Sequence, residues 1–160
     1  MSEAGRDIRD HCLRWLAARE HSRKELQQKL AAKGFGRDEA LAVIDELADE
    51  GFQSDARYAE SYARSRIAKG YGPIHIRYEL KQAGIDPGRE EAFAFDLEQL
   101  VRAAAGSWAE LLERVYGKKY GRERKMEARE WARRSRFLMQ RGFPVEMITE
   151  LFEHLNIKLS

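Results

Sequence analysis

Cysteine is almost missing from these 160 residues. The single Cys12 cannot close an internal disulfide, so packing has to hold the fold and a reducing, cytoplasmic compartment is expected. No stretch approaches the roughly 18 unbroken apolar residues that a membrane helix needs. Residues 1 to 10 carry Arg and Asp where a secretory signal would be apolar, so neither a membrane span nor export is expected. A sustained period-two alternation of Val, Ile, Thr and aromatics is also missing, and no strand is expected. His11, His21, His75 and His154 are scattered, with no Cys or His partner at metal-ligand spacing, and no local Ser, His and Asp arrangement stands out. Neither metal nor cofactor is expected, and the chain reads as a binding protein and not an enzyme.

What is there is helix-forming and charged. Apolar residues make up 43% and charged residues 35%, a globular balance, while a mean hydropathy of −0.67 implies much surface for the volume, as in an elongated, modular chain with thin cores. The net charge of +2 conceals alternation: −2 over residues 1–53, +3 over 54–85, −4 over 86–117 and +5 over 118–160. Such local patches favour recognition of charged surfaces in a fixed orientation.

Apolar residues recur at helical spacing. Ile8, Cys12, Trp15 and Leu16 share one face of a helix ending near Arg19. Ser22 followed by Glu25 forms a capping pattern for a second helix, with Leu26 and Leu30 as its buried stripe and Gly34 as its exit. Ala40, Val43, Ile44 and Leu47 mark a third, before Gly51.

The same order then returns. Gly34, Gly84 and Gly142 are followed by Phe35, Ile85 and Phe143, and preceded at four residues by Leu30, Leu80 and Leu138. Nine residues later stand Val43, Phe93 and Leu151, and thirteen later Leu47, Leu97 and Leu155. Apolar identity at four columns in helical phase predicts three copies of one unit. The expected fold is therefore all-α: three tandem three-helix repeats forming an elongated, curved modular chain, with repeats at 1–52, 53–97 and 98–160, the last including a basic linker. The match weakens at Ala94 and Arg134. Pro73, Pro87 and Pro144 each precede a helical pattern, where the missing N–H costs nothing in the first turn. Between Glu98 and Arg129 helix is expected in part, with Gly106, Gly117 and Gly121 as breaks.

Asp55, sharing the duty with Ser54, is expected to cap the fourth helix, and Tyr58, Ala59 and Tyr62 to lie on its buried face. Gly70-Tyr71-Gly72 matches no phosphate-binding loop and Pro73 accounts for its turn. Two basic groups are candidate contact patches. Arg77 and Lys81 lie a turn apart opposite Ile76 and Leu80, in the neighbourhood of Arg64, Arg66, Lys69 and Tyr71. The second group is Arg133, Arg134, Arg136 and Arg141, in a segment from Lys118 to Arg141 with ten basic and three acidic residues. That surplus repels itself unless an anion lies near, such as a phosphate backbone or an acidic protein groove. Trp15, Trp108 and Trp131 read as packing anchors.

The middle unit carries Asp55, Arg57-Tyr58-Ala59, Tyr62, Arg64, Arg66, Lys69-Gly70-Tyr71-Gly72, Ile76-Arg77-Tyr78-Glu79-Leu80 and Gly84-Ile85. In order and spacing this resembles the signature of the RecX family of bacterial recombination regulators. Arg19, Ser22, Glu25-Leu26, Leu30 and Gly34-Phe35 before it, and Arg141-Gly142-Phe143 after it, are similar to that family's flanking parts. The segment from Lys118 to Arg129 departs from the pattern. The resemblance implies a monomeric modulator of the RecA recombinase that lies in the groove of the RecA filament on single-stranded DNA and restrains filament extension, ATP hydrolysis and strand exchange. A direct nucleic-acid-binding helical module is the alternative, resting on the basic surplus near the C-terminus.

Overall fold

The computed structural model of the protein describes residues 2–86, 96–121 and 125–159. Pro87, Phe93 and Ala94, to which the sequence assigned a helix start and repeat positions, lie outside these residues. The chain divides into two compact units, residues 1–62 with 80–95, and residues 63–79 with 96–160.

The first unit opens with α1 (Glu3–Ala18), α2 (Arg23–Ala32) and α3 (Arg37–Asp49). The start of α1 is fixed by the Ser2 hydroxyl, which accepts the Gly5 N–H at 2.9 Å. In α2 the Ser22 hydroxyl accepts the Glu25 N–H while the Glu25 carboxylate accepts the Ser22 N–H, both at 3.1 Å. Two first-turn donors that lack intrahelical partners are thus satisfied reciprocally. Ile8, Cys12, Leu26, Leu30, Ala40, Val43, Ile44 and Leu47 close into one core, with Trp15, Leu16 and Phe35 packed on its edge. Burial pushes the Cys12 thiol up to about 11, so it stays protonated and acts as a small apolar group.

Helices α4 (Asp55–Ala68) and α5 (Pro73–Gln82) each begin in one unit and end in the other. The Ser54 hydroxyl caps α4 by accepting the Arg57 N–H at 3.2 Å. Asp55 acts elsewhere than expected: its carboxylate accepts the N–H of Arg23, the first residue of α2, at 2.8 Å, and the Gln53 side-chain amide at 3.0 Å. An orphan donor of one helix is therefore met by a side chain 32 residues along the chain, a pairing that local spacing does not reveal.

The second unit contains α6 (Leu97–Ala105), α7 (Trp108–Tyr120), α8 (Ala128–Gln140) and α9 (Val145–His154). Asp96 caps α6 through the Glu98 and Gln99 N–H groups, and Ser107 caps α7 through that of Glu110. Leu97 is buried as the repeat pattern required, but it opens α6. Gly106 and Gly121 end helices, whereas Gly117 lies inside α7. A glycine costs a helix only about 1 kcal/mol, which the buried Leu111, Leu112 and Tyr116 of α7 outweigh. Lys125–Met126 (β1) pairs in parallel with Lys158–Leu159 (β2), the strand pairing found among the described residues. Two residues are too few to display an alternation, which is why the sequence showed no strand.

The three register glycines mark one recurring backbone device. Gly34, Gly84 and Gly142 have φ of +89°, +87° and +99°. The N–H after each donates five residues back: Phe35 to the Leu30 carbonyl, Ile85 to Leu80, Phe143 to Leu138, at 3.2, 2.9 and 3.2 Å. This is the Schellman closure, in which left-handed backbone lets two last-turn carbonyls find donors while an apolar residue folds back on the helix. The three leucines are fully buried.

Candidate functional site

Several of the sequence-predicted contact residues meet in the second unit, around the turn from α4 to α5. The helix exit there is again a Schellman closure, with the Gly70 N–H on the Ile67 carbonyl and the Tyr71 N–H on that of Arg66, each at 3.0 Å. Beyond it the chain runs along the end of α8. The Gly72 N–H donates to the Arg141 carbonyl at 2.7 Å and the Ile74 N–H to the Gly142 carbonyl at 3.0 Å. Pro73, with no N–H to place, stands between the two donors. A Cβ on Gly72 would lie 2.5 Å from the Gly142 carbonyl oxygen, so only glycine admits this approach.

Tyr71 becomes the centre of a cationic and aromatic cluster. Its ring stacks on His75 with centroids 4.3 Å apart, and the Arg141 and Arg66 guanidinium carbons lie 4.6 and 5.7 Å from its centroid. Arg141 also donates to the Lys69 carbonyl at 3.2 Å. Arg66, Lys69, Tyr71 and Arg141 are thus one group, drawn from both sequence-predicted patches. Cation–π contacts of this kind contribute about 0.5–2 kcal/mol each, rising with desolvation.

The remaining candidates are elsewhere. Arg64, Lys81 and Arg136 are exposed. Exposed Arg77 pairs with Glu98 at 2.9 Å, and Glu98 also accepts the Trp108 indole N–H at 3.3 Å. Arg133 lies 3.2 Å from Glu130 on its own helix.

Arg134 is not a surface contact, contrary to its sequence assignment. It is 5% exposed, its Nε donates to Glu130 at 2.9 Å and its Nη1 to the Tyr116 hydroxyl at 2.8 Å. Its guanidinium also lies 4.6 Å from the Tyr120 centroid. The side-chain hydrogen bond from Arg134 holds the Glu130 carboxyl below the ordinary carboxylate range. The weak fit of Arg134 to the apolar repeat column was its signal: it occupies a core position with its charge neutralised by neighbours.

Sequence reasoning missed a second feature of this unit. Ile67, Ala104, Leu111, Val115 and Phe137 line a cavity of about 570 Å³, and Lys69, Arg114, Lys118, Lys119 and Arg141 also border it. Spacing could have found part of it, since Leu111, Arg114, Val115 and Lys118 fall on one helical face.

No described helix is long and apolar enough to cross a membrane. Among the described residues no group of three His, Cys, Asp or Glu side chains is placed to hold a metal ion.

Comparison with known proteins places this helical order. Residues 9–47, 54–88 and 109–152 match the first, second and third three-helix domains of RecX, the last spanning α7 to α9. The regulatory protein RecX of Pseudomonas entomophila (strain L48) is 41% identical over 144 residues, 90% of this chain and 88% of that protein. That of Chromohalobacter salexigens is 39% identical over 147 residues, 91% of each. The crystal structure of RecX from Lactobacillus salivarius superimposes with a TM-score of 0.72 at 21% identity, covering 99% of this chain and 100% of that one, and shares the fold. With three tandem domains matched in order and two-fifths identity along nine-tenths of its length, the chain belongs to the RecX family of regulatory proteins.

Proposed function

We propose that this protein regulates homologous recombination by binding RecA filaments on single-stranded DNA and restraining filament extension, ATP hydrolysis and strand exchange. Membership of the RecX family carries the reading. The basic and aromatic cluster around Tyr71 supports it, because Arg66, Lys69 and Arg141 give one unit a cationic face suited to the acidic groups of a filament. The protein acts as a cytoplasmic monomer through docking, without cofactor or catalysis, and its repeats 1–52, 53–97 and 98–160 are the units that dock. Purified protein added to RecA filaments on single-stranded DNA should slow ATP hydrolysis. An unchanged rate at several-fold molar excess over filament subunits would sink the proposal.

A second reading, direct binding of nucleic acid, draws on the basic surplus between Lys118 and Arg141. Its mark is a DNA affinity, measured without RecA, that falls with salt at a log–log slope of about −0.7 per neutralised phosphate of a single strand. No binding at low salt removes it.

A further inference from the structure

The cavity of the second unit has a composition that neither repeat packing nor the Tyr71 cluster explains. Its floor is aliphatic: Ile67 and Leu111 are buried and Val115 is half-buried. Gly70 lets the α4 exit approach α7, for a Cβ there would stand 2.8 Å from the Val115 side chain. Around this floor stand five cations, Lys69, Arg114, Lys118, Lys119 and Arg141, and no acidic residue is among the described lining. Arg114 and Lys118 are exposed, and among the described residues neither has a carboxylate at ion-pair distance. At about 570 Å³ the space falls within the range of roughly 300–1,000 Å³ typical of ligand clefts.

We propose that this cavity receives an acidic amphipathic segment of the protein partner, whose apolar side chains enter the aliphatic floor while its carboxylates meet the rim. The inference rests on the filament-binding reading above and locates one contact of it. Charge complementarity selects an acidic ligand, since carboxylates relieve the mutual repulsion of five rim cations. The aliphatic floor selects apolar side chains, as when an amphipathic helix seats its anchors in a groove. A nucleobase fits less well. Base binding without sequence preference uses aromatic faces, and the one aromatic ring among the described lining residues, Phe137, already has the Lys119 ammonium 3.7 Å from its centroid and the Arg141 guanidinium 5.6 Å away.

Two variants test the cavity from exposed positions. Ala104→Trp fills it from the edge, and Arg114→Glu with Lys118→Glu reverses part of the rim. The probe is a fluorescein-labelled helical peptide with leucines at i, i+3 and i+7 and glutamates on the flanks; the same peptide with serine for leucine and an oligo-dT of similar charge are controls. Wild-type protein should bind the leucine peptide at least about tenfold more tightly than the serine peptide; Ala104→Trp should lose that preference, and the charge-reversed variant should bind both peptides more weakly, with thermal unfolding unchanged in each. The proposal is overturned if the two peptides bind alike, if the variants bind as well as wild type, or if oligo-dT displaces the leucine peptide at equal or lower concentration. The same proteins on RecA filaments separate the two claims. Wild type without effect on ATP hydrolysis defeats the filament reading whatever the peptide does, whereas wild type and Ala104→Trp slowing hydrolysis equally defeat the cavity and leave the filament reading standing.

Discussion

The Arg134 guanidinium donates to the Tyr116 hydroxyl at 2.8 Å inside the second unit, while its Nε holds Glu130 at 2.9 Å. Arginine tolerates this burial because its planar head makes both contacts at once and lies against the Tyr120 ring. Replacing it by leucine leaves the buried Tyr116 hydroxyl without its donor, so Arg134→Leu should lower unfolding free energy by about 1–3 kcal/mol. Lysine should not restore it, because an ammonium cannot reproduce the fork. Urea titration of the three proteins checks both statements. A silent Arg134→Leu would return this residue to the surface patch.

The recurring Schellman closures carry a second expectation. Leu30, Leu80 and Leu138 are fully buried and each supplies the carbonyl for the N–H five residues on. Truncation to alanine removes side-chain packing while leaving the backbone bond intact, at a cost of about 2–5 kcal/mol at each site. Three similar losses in denaturant midpoints are expected. One silent leucine would break the equivalence of that repeat with the others.

Much of this was legible beforehand, and what was not has a common physical cause. Gly34, Gly84 and Gly142, with their leucines and apolar followers, stand in the sequence because the closure is local and its residues keep fixed spacing. The Ser22 and Glu25 capping box was visible for the same reason. Asp55 was misplaced because its partner, the Arg23 N–H, is distant in sequence. Equating charge with exposure misplaces Arg134: Glu130 stands one helical turn away at i−4, but the Tyr116 hydroxyl, 18 residues back in the chain, meets it only in three dimensions. Of the candidate contacts, Arg66, Lys69, Tyr71 and Arg141 came together, yet the cavity beside them draws on Arg114, in a segment whose net charge is negative. Summed charge conceals a cation that folding turns to one side.

Two glycines should respond oppositely to alanine. At Gly72 the new Cβ would meet the Gly142 carbonyl at 2.5 Å, a backbone contact that cannot rotate away, and Gly72→Ala should cost about 1–3 kcal/mol. At Gly117, inside α7, nothing lies within 4 Å of the added carbon. Gly117→Ala should therefore stabilise by about 0.5–1 kcal/mol through helix propensity. Thermal unfolding of the two variants gives shifts of opposite sign.

Reversing the charges of Arg77 and Lys81 separates surface function from folding. Arg77 and its partner Glu98 are both largely exposed, and pairs of that kind are worth about 0–1 kcal/mol. Arg77→Glu with Lys81→Glu should leave the melting temperature within a few degrees of wild type, and weaken the slowing of RecA ATP hydrolysis. Unfolding at room temperature would make these residues structural.

Acid should weaken the first unit in two stages, for which His21 and Glu25 are responsible. Burial disfavours the charged form of His21 and lowers its pKa from the ordinary 6.5. The Arg19 carbonyl stands 3.0 Å from its Nδ1 and the Lys29 ammonium 2.8 Å from its Nε2, an arrangement that suits a neutral ring donating from Nδ1 and accepting at Nε2. Because the unfolded chain takes up this proton first, stability is full above the ordinary pKa and declines as pH falls through 6.5 towards the lowered value. At Glu25 burial alone would raise the pKa, but the Arg19 guanidinium at 3.1 and 3.2 Å and the Ser22 N–H at 3.1 Å outweigh it and hold the carboxyl below its ordinary 4.5. Its contribution is present above 4.5 and is lost as pH falls through the depressed value. Denaturant midpoints measured from neutral pH downward should therefore show an early decline that His21→Gln flattens and a later one that Glu25→Gln flattens. A ring titration of His21 by NMR at or above 6.5 would contradict the first stage, because a charged imidazole beside the Lys29 ammonium has no hydrogen bond to offer it.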